Sequence, residues 1–536
     1  MSQNRDIPSI DNSESEADMF SDIVKKATGE VIGKSLLNSV DDVREIVRLS
    51  RSAQKEWVKI SVKERARIIK KTGQYICNNC DLLASKISDD NGKTRIDALI
   101  TELIPAAMSV SYYAKKAKKF LKDKFIVPGN LLLANKISKK RRVPFGTIGI
   151  ISPWNYPFVI PFSEIVMSLL AGNAVILKTA SETQLVGQAL KEVFESIGLP
   201  ENLFNYVNLP GRIAGDAFLD SGVDKLFFTG SVPVGKYLMK KAAETLTPVS
   251  LELGGNDAML VCEDADLYRA ASGAVWAGFQ NAGQSCGGVE RIYVHSSVYD
   301  DFMAILKEKT ESLRVGYDMD FNLDIGVMTT EKQVKSVETH INDAIEKGAA
   351  IYARAGSGEG SKWKNLVNPL VLTDVNHDML VMKEETFGPV IGVMKVDNMD
   401  EAIELANDSN LGLTGSVWTR SNKYGFELGK RIRAGAVTIN DHLMSHGLAE
   451  TPWGGFKESG IGRTHGEIGF DEMTEPQVIV MDIMPFVKRN LWWHPHNEKV
   501  YNGLKGIIEV LHGKNFGVKI KGFIKVIFIY GRTFLK

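Results

Sequence analysis

Cysteine is scarce in this chain, with four in 536 residues. That is too few for a disulfide framework, so the fold must rest on buried apolar surface, which a chain of this length can supply. Net charge is also missing: 65 Lys and Arg balance 65 Asp and Glu. A nucleic-acid binder would want a basic surplus, so no nucleic-acid partner is expected. No stretch approaches the roughly 18–20 apolar residues of a spanning helix. The opening "MSQNRDIPSIDNSESEADMF" has neither the basic start nor the apolar centre of a secretory signal. An intracellular, cytoplasmic and reducing location is expected, in which a free thiolate survives. Against these absences stand 44% hydrophobic and 24% charged residues, the values of a soluble globular protein. The length predicts more than one domain.

Residues 1–20 read as a flexible lead-in. Helical patterns begin at "DDVREIVRLSRSAQKEWVKI", where Val43, Ile46, Val47, Ala53 and Trp57 fall near helical spacing, and they continue to the neighbourhood of Lys122. The segment "LLLANKISKKRRVPFGTIGIIS" then predicts extended strands or a hairpin followed by a buried strand. From there short apolar strands alternate with helices, as in "NAVILKTA", "KLFFTG" and "PVSLELGG". A second alternating block includes "DAMLVCEDA", "RIYVH", "PVIGVMKV", "TGSVWT" and "AVTIN". This alternation predicts an α/β fold with parallel sheets and right-handed crossovers.

Ligands of such sheets bind beyond the carboxyl ends of the strands. Four successive strand ends carry polar chemistry: Trp154 and Asn155, Lys178 and Ser181, the turn Gly230-Ser231 to Gly235, and Glu252 before two glycines. Gly230 allows a tight turn beside a phosphate, and the following helix presents free N–H groups. A stiffened asparagine donates well to a developing oxyanion. In "NAGQSCGGVER", Cys286 stands among small neighbours, as either a packed core thiol or a nucleophile with clearance for substrate. Taken singly, each residue also has a plain reading as a loop cap, a solvated lysine, an ion-pair member or a strand–helix turn. Cys77-Asn78-Asn79-Cys80 is a lone CxxC after a helical run and reads as structural. The run Lys139–Arg142 is read as a solvent-facing basic stretch. His494 and His496 lack a third ligand nearby, so no metal site is expected.

In order along the chain, "PWNYP", "GNAVILK", "FFTGS", "LELGG", "FQNAGQSC", "EETFGPV", "AGAVTIN" and "PWGGFKESGIGR" resemble the NAD(P)-dependent aldehyde dehydrogenase superfamily. The resemblance implies an aldehyde dehydrogenase-like fold: a Rossmann-type dinucleotide domain, an α/β catalytic domain and a β-hairpin oligomerisation arm. The expected boundaries are a dinucleotide domain over 21–253 with the arm at about 124–146, a catalytic domain over 254–456, a return to the cofactor domain with an oligomerisation strand over 457–486, and an extension over 487–536. It further implies Cys286 as nucleophile, Glu252 as general base and Asn155, with the Cys286 N–H, as oxyanion donors. The cofactor is NAD or NADP. Trp154 lies in its site; Lys178 and Ser181 meet the adenosine ribose; Gly230, Ser231 and Gly235 meet the pyrophosphate; Glu385 holds the nicotinamide ribose, and Phe387 packs nearby. The expected partner is a small aldehyde, and the expected assembly is a homodimer or homotetramer.

Departures from the family pattern carry expectations of their own. Ser181 stands where strict NAD users often place a ribose-binding Glu, so NADP is expected to be tolerated. Gly287 and Gly288 predict a roomy or mobile substrate floor. From Gly503 to Lys536 there are seven Lys and Arg against one acid, Glu509, interleaved with aromatics and β-branched residues. Two readings stay open for this tail: a peripheral contact with anionic lipid through residues 503–536, or packing on the protein's own surface or a neighbouring subunit. The rival functions are a cofactor-free cysteine hydrolase or acyltransferase, and a non-catalytic protein on the same fold. Lys178, the 229–235 turn and Glu385 speak against the first; Cys286, Glu252 and Asn155 together speak against the second.

Overall fold

A computed structural model describes residues 19–317, 320–356, 363–484 and 486–534. Residues 1–18 of the expected lead-in lie outside these, and Phe20 already opens a strand, Phe20–Val24. The chain forms two compact units, one within 1–121 and 143–475, the other within 122–142 and 476–536.

After an antiparallel pair of strands, Phe20–Val24 and Val31–Leu36, the first unit continues with helices, as the periodicity predicts. Val40–Trp57 starts at a Ser39–Asp42 capping box and buries Val43, Val47 and Trp57. The Trp57 indole N–H donates to the Leu169 carbonyl at 2.8 Å, so its one polar group is satisfied inside the core.

Two sheets follow. The first is six-stranded, in the order Gly460–Ile461, Val249–Glu252, Lys225–Thr229, Thr147–Ile151, Ala174–Lys178, Phe204–Tyr206. All its pairs are parallel except the edge pair of Gly460–Ile461 with Val249–Glu252. The second is seven-stranded, in the order Ala350–Arg354, Leu370–Thr373, Val390–Val396, Val289–His295, Asp257–Val261, Thr414–Trp418, Ala436–Ile439. It too is parallel but for one edge, Ala350–Arg354. Central strands of both sheets are buried on each face, which explains why "GTIGII" and "DAMLV" are continuous apolar runs rather than alternating ones.

The second unit contains a three-stranded sheet, with Lys136–Pro144 between Lys124–Ile126 and Thr474–Asp482. Two helices complete it, Glu498–His512 and Phe516–Tyr530. Among the described residues, no helix is long and apolar enough to cross a membrane.

Candidate active site

Thr147–Ile151 pairs with Ala174–Lys178 on one side and Lys225–Thr229 on the other. The chain order reverses there, which opens a crevice at the carboxyl ends of the strands. A groove of about 590 Å³ occupies this place. It is lined by Trp154, Asn155, Lys178, Ser181, Gly230, Ser231, Glu252, Cys286, Glu385 and Phe387, so residues up to 233 positions apart meet in one site. Gly235 is the exception. A Cβ there would come 2.7 Å from a Leu253 methyl, so this glycine packs its helix against Leu253 and does not line the groove.

The groove carries polar side chains. Lys178 is only 4% exposed, and burial pulls its ammonium below the usual lysine range while Glu182 pushes it back up. The helix Val232–Ala242 begins at Ser231 without a side-chain cap, so its first N–H groups face outward unsatisfied by a cap. Trp154 and Phe387 meet edge to face at 5.4 Å. A buried ammonium and an uncapped helix start are the donors that ribose and pyrophosphate oxygens require, so these residues fit a dinucleotide.

Cys286 follows a turn of unusual backbone. Asn281, Ala282 and Gly283 all have positive φ, at 52°, 53° and 70°. Two non-glycine residues in the left-handed region are a cost that surrounding contacts must hold. The Asn281 N–H donates to Asp97 at 2.6 Å, and its side chain donates to the carbonyls of Asn155 and Gln284. A Cβ on Gly283 would sit 2.2 Å from the Gly388 carbonyl, so the turn also requires glycine there. Gly254 and Gly255 allow a second close approach: Cβ atoms on them would lie 2.2 Å from Glu385 Oε2 and from the Cys286 carbonyl, respectively. The "LELGG" motif thus lets the Glu252 strand end run against both Glu385 and Cys286.

Burial pushes the Cys286 thiol far above its ordinary range, and Glu385, Asp257 and Glu252 add to the effect. The surrounding charges that shift it are all carboxylates, an environment that favours an added cationic ring.

Asn155 is held by a network that sequence reading missed. Its backbone carbonyl accepts from Lys93 Nζ at 2.9 Å and from the side chains of Asn91 and Asn281. Lys93 pairs with Glu102 at 2.8 Å, with both side chains fully buried. The other Glu102 oxygen accepts from the N–H groups of Phe158 and Val159. The loop after the first strand is therefore bolted at both ends, while Asn155 Nδ2 rests on the Gln284 carbonyl at 3.1 Å. Lys93 lies in "DDNGKT", where a helix ends at Gly92; the buried pairing with a residue nine positions on has no local signal.

Glu252 lies in a small cavity with Glu164, Thr229, Cys286, His446, Trp453 and His465. Burial raises its carboxyl well above the usual range, Glu164 raises it further, and Arg463 opposes. Its Oε2 has no hydrogen-bond partner. Burial alone takes Glu164 up to about 8 and His446 down to about 4; His465 falls to about 3 through burial and the nearby His446.

A third cavity, of about 240 Å³, also reaches Cys286. Ile100, Ile104, Met108, Ile160, Trp276 and Leu443 make most of its wall, and no Lys or Arg lines it. The expected roominess of the two glycines is corrected here. Gly287 does line this cavity, but a Cβ would meet Thr414 and Trp453 at 3.1 Å, so even a methyl group there would press on both. Gly288 packs against the Ala277 carbonyl and Ser285 and lines none of it. Cys77 and Cys80 are on helices remote from this site in sequence and carry no disulfide.

The sequence profile of the aldehyde dehydrogenase family matches residues 12–479. A Methylomonas protein named 4,4'-diapolycopene aldehyde oxidase is 36% identical over 492 residues, covering 92% of this chain and 91% of its own. A Mycolicibacterium smegmatis protein provisionally named succinate-semialdehyde dehydrogenase (NADP+) is 36% identical over 84% of this chain and 87% of its own. The NAD+ complex of an aldehyde dehydrogenase from Bacillus cereus superposes with a TM-score of 0.82 at 32% identity, over 87% of this chain and 94% of that one. The chain belongs to the aldehyde dehydrogenase family and has its α/β fold. It is an enzyme of aldehyde oxidation in a family that works with NAD or NADP.

Proposed function

We propose that this enzyme oxidises uncharged, apolar aldehydes to carboxylic acids with NAD(P)+, through a covalent intermediate on Cys286. The observation that carries the reading is a convergence: among the described residues, Cys286 alone lines all three cavities, the apolar one, the polar groove and the small one holding Glu252.

The aldehyde enters from the apolar side and Cys286 Sγ attacks its carbonyl carbon. The thiol rests protonated, so its proton must first leave; Glu252, with Oε2 unpartnered, is the acceptor in the adjoining cavity. The carbonyl oxygen becomes an oxyanion, which Asn155 Nδ2 and the Cys286 N–H stabilise. Asn155 is free to turn from the Gln284 carbonyl to the substrate because its backbone, not its side chain, carries the anchoring bonds. When bound, the dinucleotide supplies the hydride acceptor. Lys178, Ser181 and the start of the 232–242 helix hold its adenosine and phosphate half, and Glu385 its nicotinamide ribose. Glu252 passes the thiol proton to solvent, then takes a proton from the water that attacks the thioester and returns it to the departing thiolate, releasing the acid and restoring the thiol.

The apolar wall selects the substrate. A carboxylate on the aldehyde would enter without a counter-ion, at a cost of several kcal/mol. Turnover of an aliphatic aldehyde series and of succinate semialdehyde, followed as NAD(P)H formation, tests this. Apolar aldehydes should exceed the carboxylated one in kcat/KM by about a hundredfold or more. Equal or reversed preference would refute the substrate class, and no NAD(P)H with any aldehyde would refute the reaction.

Assembly follows from the second unit. Thr474–Asp482 is an edge strand, and Val478 to Met481 are exposed along it. An exposed apolar edge is a template for pairing, and we assign it to contact between copies in a homodimer or homotetramer.

A further inference from the structure

Glu498–His512 and Phe516–Tyr530 are joined by three residues and pack as an antiparallel pair. Asn497 and Asn515 cap their starts: each side-chain Oδ1 accepts from a backbone N–H, of Val500 and Val518 respectively, at 3.0 Å. Gly506 and Gly522 sit at the crossing, where a Cβ on either would lie about 2.5 Å from the other's carbonyl oxygen. Glu509, the acid of the crossing, is bound by Lys525 at 2.6 Å. Val526, Ile529 and Gly522 of the second helix are buried against the first.

The other side of the second helix is exposed. Phe516 and Phe528 are 79% and 70% exposed, and Ile520, Phe523, Ile524 and Ile527 are exposed between them. At 100° per residue these six occupy one face about 140° wide. Lys519 and Lys521 fall at its two edges, and the helix contains no acidic residue. Beside this face runs an apolar groove of about 650 Å³ lined in part by Trp492, Leu511, Phe523 and Ile527.

We propose that the Phe516–Tyr530 helix docks on an anionic lipid surface. The apolar face enters the acyl boundary, and the flanking lysines stand at headgroup level. An isolated soluble surface seldom leaves such an apolar face open. Charge selects the occupant. A second copy would bring the same lysines against each other, whereas anionic headgroups neutralise Lys519 and Lys521. With no helix able to cross a bilayer among the described residues, the contact is peripheral.

The test uses the full-length protein and co-sedimentation with phosphatidylcholine vesicles, plain or doped with phosphatidylglycerol. Wild type should sediment with the doped vesicles, less with plain ones, and less as salt rises. The pairs Phe523→Glu/Ile527→Glu and Lys519→Glu/Lys521→Glu should each lower partitioning about tenfold or more. Thermal midpoint and turnover of a short, water-soluble aldehyde should stay at wild-type levels in both pairs, which separates lost docking from lost folding. The proposal is overturned if wild type stays in the supernatant, if it binds plain vesicles equally well, or if Phe523→Glu/Ile527→Glu sediments like wild type. It is also overturned if that pair reduces the solution mass of the enzyme without changing sedimentation with lipid, since the face would then join copies.

Discussion

The two large cavities that meet at Cys286 are chemical opposites. One is walled by Ile100, Ile104, Met108, Ile160, Trp276 and Leu443 with no cation; the other carries Lys178, Glu385 and an uncapped helix start. They also differ in origin. The groove is built from strand ends, where the parallel sheet places polar residues automatically. The apolar cavity is built from helices and loops, including the π-helical segment Leu99–Leu103, and owes nothing to the sheet. The division teaches that cofactor chemistry and substrate choice are separable here, with the thiol as their one shared member.

Several substitutions break or sharpen that separation. The largest effect should come from Cys286→Ala, which removes the shared member. Aldehyde-dependent NAD(P)H formation should fall on the order of 10⁴-fold or more, while dinucleotide binding, measured by fluorescence titration, persists. Next is Lys93→Met, which leaves Glu102 buried without its partner. It should cost about 3–5 kcal/mol in stability, read as a lower denaturation midpoint, and should loosen the Asn155 loop. Met108→Arg places a cation at the mouth of the apolar cavity. It should lower kcat/KM for apolar aldehydes and raise it for succinate semialdehyde, moving their ratio by about a hundredfold, with KM for the dinucleotide unchanged.

Glu164→Gln addresses proton transfer. Glu252 must be ionised to act as a base, and burial with Glu164 holds its carboxyl above the ordinary range. Activity should therefore rise with pH and be lost as pH falls through the Glu252 pKa. Removing the Glu164 carboxyl should move that limb of the kcat profile to lower pH; an unmoved limb would show that the two are uncoupled. The smallest effect should come from Ser181→Glu, confined to the groove. Its carboxylate would repel a 2′-phosphate and should cut the NADP-to-NAD ratio of kcat/KM about tenfold, leaving aldehyde preference alone.

The sheet-borne half of this site was legible in the sequence because parallel strands print themselves as apolar runs and their next residues face the crevice. Asn155, Lys178, Gly230 and Glu252 could be read off in that way. Gly235 reads from its own position as a close-packing glycine and from the family resemblance as part of the pyrophosphate turn; it packs on Leu253. The Lys93–Glu102 pair and the Asn281 bonds to Asp97 and Asn155 join residues whose partners are chosen by tertiary packing. His446 and His465, which share the Glu252 cavity, come from the short helix Met444–Gly447 and the start of the helix Gly466–Glu472, and offered no spacing to notice. In the tail, "GFIKVIFIY" is rich in β-branched and aromatic residues of strand preference, yet it is helical. Packing of Gly522, Val526 and Ile529 on the neighbouring helix outweighs a propensity of a few tenths of a kcal/mol per residue.

The central claim is that Cys286 carries the acyl group between an apolar substrate side and a polar cofactor side. Mass spectrometry of enzyme quenched in acid after mixing with a long-chain aliphatic aldehyde tests it most directly. With NAD(P)+ present, an acyl mass should appear on the peptide containing Cys286, and it should be absent without the dinucleotide. An acyl mass on Cys77, Cys80 or Cys262, or none anywhere while acid is being formed, would contradict the account.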